Sequence, residues 1–190
     1  LKLALHRITG GEILGVSTPP HPHEAVVIID GERMQGAMIE RLEQLIGERD
    51  LLHHFFFFPI DDFTDLGDSS NIKRFKHMMD HAEEKTGLKV STVIMDGTNQ
   101  LFSCDENSNS ELKEAVTPWV DIAASYDAAI FVNLHLRKSD YETKPPLLGG
   151  LVGGAYWSRI LRCVKGMYSD NDDNIFVMHT LKESHAKMPA

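Results

Sequence analysis

The chain has 190 residues, 42% hydrophobic and 25% charged, with 28 acidic against 19 basic side chains and a formal net charge of −9. This balance predicts one soluble domain with a sizeable core, and the acidity argues against a generally adhesive nucleic-acid binder while allowing a local basic loop. No apolar run nears the roughly 18 residues that span a bilayer, no secretory leader pattern opens the chain, and two cysteines, Cys104 and Cys163, make no disulfide framework and fit a reducing cytoplasm.

The first residues, LKLALHRITGG, carry helical spacing at Leu1, Leu5 and Ile8 that Gly10-Gly11 stops. This is the second half of an amphipathic helix. Neither an N-cap nor an initiator methionine precedes it, so the reading expects residues upstream. A turn-rich loop, EILGVSTPPHPHE, follows. A strand is then predicted over 26–30, where Val26 to Ile29 form an apolar run suited to burial on both faces. It ends in Asp30-Gly31-Glu32. Met34, Met38, Leu42 and Leu45 place a helix over about 34–47, ending near Gly47.

The run LLHHFFFFPID reads as a buried aromatic strand that Pro59 stops. A helix is predicted over about 69–86, capped by Ser69 or Ser70 and closed by Gly87. The strand STVIMDG comes next, then a loop with DENSNS and a helix over about 109–126 that Pro118 kinks or divides. The strand AAIFVNLH precedes the loop LRKSDYETKPPLLGG and a short helix or turn near 151–158. The strands SRILRCVKG and NIFVMHTLK, joined by YSDNDDN, are expected as an antiparallel hairpin at the sheet edge. Alternating strands and helices define an α/β domain with a largely parallel sheet. With neither an internal repeat nor a linker, the reading is a single domain over 1–190.

In open parallel sheets, ligands bind beyond the carboxyl ends of the strands. Those ends here carry Asp30 and Glu32, Asp61 and Asp62, Asp96-Gly97-Thr98, and Asn133 with His135. Such groups suit a magnesium ion and a water oriented against a phosphate. Any one of the aspartates serves equally well as a turn or helix cap. A metal centre on His21, His23, His53 and His54 is disfavoured, because metal sites need three or four convergent ligands.

The order VVIIDGE, FFFFPID, STVIMDGTNQLFSCDENSNS, AAIFVNLHLRKS, LLGGLVGGAYWSRILRCVKG, IFVMHTLKES resembles that of RecA-fold ATPases, nearest the branch of RepA-type hexameric replicative helicases and related phage and plasmid ATPases. The resemblance covers nearly the whole chain. It implies a RecA-like three-layer fold, magnesium and ATP as cofactors, a homo-oligomer in the form of a hexameric ring, and passage of single-stranded DNA. Asp96 matches the aspartate that supports magnesium through water, and Glu32 the glutamate that polarises the attacking water. His135 matches the residue that senses the terminal phosphate and relays it to a mobile loop. That loop corresponds to residues 137–150, with Arg137, Lys138 and Lys144 facing DNA. Lys182 matches a nucleotide-directed lysine on the last strand.

The sequence departs from the pattern twice. The 190 residues contain no G-x-x-x-x-G-K-[ST] phosphate loop. The resemblance places that loop and its strand just before the first helix, and the expectation is that both are absent, with weak nucleotide binding by these residues alone. Relatives carry Lys-x-Arg where this chain reads Lys182-Glu183-Ser184, so the finger arginine lacks a match. Two functions remain in view. One is the ATP-hydrolysing motor domain of a replicative helicase or a helicase-like phage or plasmid replication protein. The other is a catalytically inactive, ATPase-derived regulatory or scaffolding subunit.

Overall fold

A computed structural model describes residues 1–13, 16–32, 35–47, 50–61, 64–105, 108–135, 146, 148–151, 154–169 and 176–183. Contacts group the chain into two compact units, Leu1–Ser103 with Ala115–Asn133, and Cys104–Glu114 with Leu134–Ala190.

The first unit is organised by an α/β sheet. Its elements are α1 (Lys2–Thr9), β1 (Gly11–Ile13), β2 (Val16–Thr18), β3 (Glu24–Asp30), α2 (Gln35–Ile46), β4 (Phe55–Phe58), α3 (Ser69–Thr86), β5 (Lys89–Asp96), α4 (Thr98–Leu101), most of α5 (Asn109–Tyr126) and β6 (Ala129–Val132). The main sheet has four parallel strands in the order β4-β3-β5-β6. Central placement explains the unbroken apolar run of β3. Ala25 to Ile29 are all buried, since strands lie on both sides and helices pack on the faces. Each large aliphatic residue buried there contributes about 1.5–3 kcal/mol. Val26 and Ile28 pack with Ala4, Leu5 and Ile8 of α1 and with Leu42 and Ile46 of α2.

Two further packing points fix the sheet against its helices. Phe75 of α3 is fully buried and meets Phe58 of β4 edge-on and Trp119 of α5 at 4.7 Å between ring centroids. The Trp119 indole N–H donates to the Leu66 carbonyl at 2.8 Å, which ties α5 to the loop before α3. The helix runs through Pro118 without dividing.

The expected bounds hold closely for α2, α3 and α5, with local corrections elsewhere. The loop after α1 contains a small antiparallel pair, β1 with β2. The aromatic strand is shorter than its apolar run, because residues 52–54 form a 3-10 turn before β4. The cap of α3 is Asp68, whose carboxylate accepts the Ser70 N–H, and not Ser69 or Ser70. The αL residue Gly87 closes that helix as expected.

The second unit contains α6 (Gly154–Ile160), β7 (Cys163–Ser169) and β8 (Phe176–Glu183). Residues 158–160 close α6 instead of opening the strand. The hairpin forms, with Cys163 opposite Glu183 and Ser169 opposite Phe176. It was expected at the edge of the parallel sheet. Among the described residues it is instead a separate two-stranded sheet. No helix among the described residues is long and apolar enough to cross a membrane.

Candidate functional site

The carboxyl ends of β3 and β5 lie side by side, with Asp30 in register with Asp96. Both strands leave the sheet through an Asp-Gly pair, and the two turns are fastened together. The Gly31 N–H donates to the Asp96 carbonyl at 2.8 Å. A Cβ on Gly31 would stand 2.5 Å from the Gly97 carbonyl oxygen, so only glycine permits this approach. Gly97 itself has φ of 69°, in the left-handed region that favours glycine. A Cβ there would lie 3.3 Å from Cγ of Glu32, which places the glutamate side chain directly over the second turn.

Hydrogen bonds set the carboxylates further. Asp30 is buried, and its Oδ1 accepts the Glu32 N–H at 3.0 Å. Asp96 Oδ1 accepts the Asn133 side-chain amide at 2.8 Å. Asn133 is itself held by its N–H on the Met95 carbonyl and by its carbonyl, which accepts the Thr98 hydroxyl. One Asp96 oxygen is thus committed to the protein, and Oδ2 has no protein donor among the described residues.

These groups open onto a cavity of about 330 Å³. Its floor is Ile28 and Ile94, neighbours in register on β3 and β5. Asp30, Glu32 and Asp96 supply the acidic rim, Ala37, Met38 and Arg41 of α2 form one wall, and Leu1 contributes from the start of α1. No group of three His, Cys, Asp or Glu side chains among the described residues converges to hold a metal. Asp96 with one oxygen to spare suits magnesium, which takes one or two carboxylates and completes its shell with water and phosphate.

Of the residues singled out from sequence, Glu32 and Asp96 meet at this cavity. His135 is exposed and lies in the second unit. Lys182 also lies there, and its ammonium donates to the Ser158 and Leu161 carbonyls at 2.7 Å, closing the C-terminal end of α6. Arg137, Lys138 and Lys144 fall outside the described residues, as does Asp62. Asp61 acts as a turn former, with its Oδ1 accepting the Thr64 hydroxyl. The histidines do not converge. His54 is buried with Nδ1 at 2.8 Å from the Glu24 carbonyl, and His21 joins a cluster with Arg7 and Glu24.

Sequence reasoning assigned no role to three residues. Asp30 and Asn133 were visible as strand-end polar groups, but their hydrogen bonds to Glu32 and Asp96 were not. Arg41 had a fainter signal, a cation flanking the apolar stripe of Met38, Leu42 and Leu45 in α2.

The parallel sheet flanked by helices, with acidic turns joined at the ends of neighbouring strands, is that of a RecA-like α/β fold. The model of the AAA domain family matches residues 1–141, and the chain belongs to that family. None of the curated proteins compared with the chain matches it.

Proposed function

We propose that the domain binds magnesium ATP at this cavity and hydrolyses it, as the motor of a replicative helicase or a helicase-like phage or plasmid replication protein. The observation that carries the reading is the juxtaposition of Glu32 and Asp96 by the Gly31–Asp96 backbone hydrogen bond. Glu32 reaches over the second turn, and in this reading it accepts a proton from a water attacking a phosphate in the cavity. Asp96 would hold magnesium through water, with Asn133 fixing its orientation. Magnesium, when bound, draws charge from the phosphate oxygens.

The helicase assignment rests on the resemblance in element order and motifs. In that reading His135 couples the nucleotide state to the loop carrying Arg137, Lys138 and Lys144. That loop contacts single-stranded DNA in a hexameric ring, and Lys182 approaches the nucleotide. The test is magnesium-dependent ATP hydrolysis by the intact protein, with and without single-stranded DNA, alongside sedimentation with nucleotide. DNA-stimulated turnover by a ring supports the motor. Nucleotide binding without turnover, or no nucleotide binding at all, refutes the motor and supports the catalytically inactive regulatory or scaffolding subunit.

A further inference from the structure

We propose that Arg41 reads the terminal phosphate of the nucleotide and thereby sets a preference for triphosphate over diphosphate. The inference rests on the ATP-hydrolysing reading above and adds a binding residue to it.

Three carboxylates border the cavity, and alone they would repel a polyphosphate. Arg41 is the one side-chain cation among the lining residues. It follows Ala37 by four residues and Met38 by three, so these side chains share one flank of α2. Met38 packs partly against the core while Leu42 and Ile46 are buried in it, which fixes the roll of the helix. Arg41 is exposed and also lines the cavity, so the residue spans from the cavity wall to solvent.

Among the described residues, Arg41 forms no salt bridge to Glu32 or Asp96, which share its cavity. Its planar donors are therefore available to an incoming anion. A guanidinium binds phosphate oxygens in pairs, which a lysine cannot reproduce. Glu32 lies on the same cavity, so a phosphate within its reach is the terminal one. The diphosphate product lacks that group.

The experiment measures magnesium ATP and magnesium ADP affinities calorimetrically in the intact protein carrying Glu32→Gln, which suppresses turnover. Arg41 is compared with Arg41→Lys, Arg41→Gln and Arg41→Ala in that background. Losing a charged hydrogen-bond donor is expected to weaken ATP binding about ten- to a hundredfold in the Gln and Ala variants. ADP affinity should change by less than about threefold, and Lys should restore part of the loss. Arg41→Gln retains much of the aliphatic stem, so it separates the phosphate contact from lost packing. An unchanged ATP-to-ADP ratio in both variants overturns the role of Arg41 and leaves the ATPase reading standing. If the protein with Arg41 intact binds neither nucleotide, both readings fall.

Discussion

The Gly31 N–H donates to the Asp96 carbonyl at 2.8 Å, joining the turn that carries Glu32 to the one that carries Asp96. The bond continues the β3–β5 ladder one residue past its last pair, Asp30 with Asp96. Two candidate catalytic groups are thereby positioned by backbone, which does not change rotamer.

This contact makes Gly31 a sensitive position. In Gly31→Ala the new methyl group would meet the Gly97 and Asp96 carbonyl oxygens at 2.5 and 2.8 Å. Both are backbone atoms, so the turns must separate. The expected cost is about 1–3 kcal/mol, the usual range for overpacking, read from denaturant unfolding. A shift of about 1 Å between the turns would lower ATP turnover about a hundredfold. Wild-type stability and turnover in this variant would show that the approach is not tight.

Trp119 gives a test of the core away from the site. It is buried against Phe75, and its N–H satisfies the Leu66 carbonyl. Trp119→Phe keeps an aromatic ring and removes the donor, leaving a carbonyl unpaired at about 1–3 kcal/mol. Trp119→Ala also opens a cavity and should cost about 3–5 kcal/mol. Urea unfolding of both variants checks the order.

Acid sensitivity should trace in part to Glu24. Burial pushes its carboxyl up, but the Ser91 hydroxyl and the Arg7 guanidinium outweigh this, with His21 adding to them, so it titrates below its ordinary 4.5. Arg7 grips both carboxylate oxygens, at 2.6 and 2.9 Å. A carboxyl whose folded pKa is depressed contributes stability that is complete above the unfolded value. That contribution is lost as pH falls through the folded one. Glu24→Gln is therefore expected to be less stable than wild type at neutral pH. The gap should narrow as pH drops below about 4.5. Thermal unfolding across pH 3–7 reads this directly, and a constant gap would contradict it.

The legibility of the sequence followed the range of the interactions. Helix α3 was clear because its apolar spacing and Gly87 stop are local. Its cap is read one or two residues late, at Ser69 or Ser70, because Asp68, Ser69 and Ser70 are all good caps and only the structure shows which side chain accepts an N–H. Strands β1 and β2 have three residues each, too few to show a period. Residues 158–160 read as strand because apolar residues in SRILRCV fit either period, whereas α6 runs through to Ile160. Glu32 and Asp96 were readable as carboxylates at strand ends. Their proximity was not, because it depends on the neighbouring of β3 and β5 and on a glycine contact between segments distant in sequence. The same holds for Asn133 on Asp96, and for Arg41, whose cavity exists only once α2 lies over the sheet.

The central claim is that Glu32 activates water at a nucleotide site organised with Asp96. The most direct test compares Glu32→Gln with wild type in the intact protein, measuring magnesium ATP binding and hydrolysis on the same preparations. Glutamine preserves size and cannot accept the proton. The account predicts ATP affinity within about threefold of wild type, and turnover lowered about a hundred- to ten-thousandfold, the range for loss of a general base. Wild-type turnover in Glu32→Gln would contradict it.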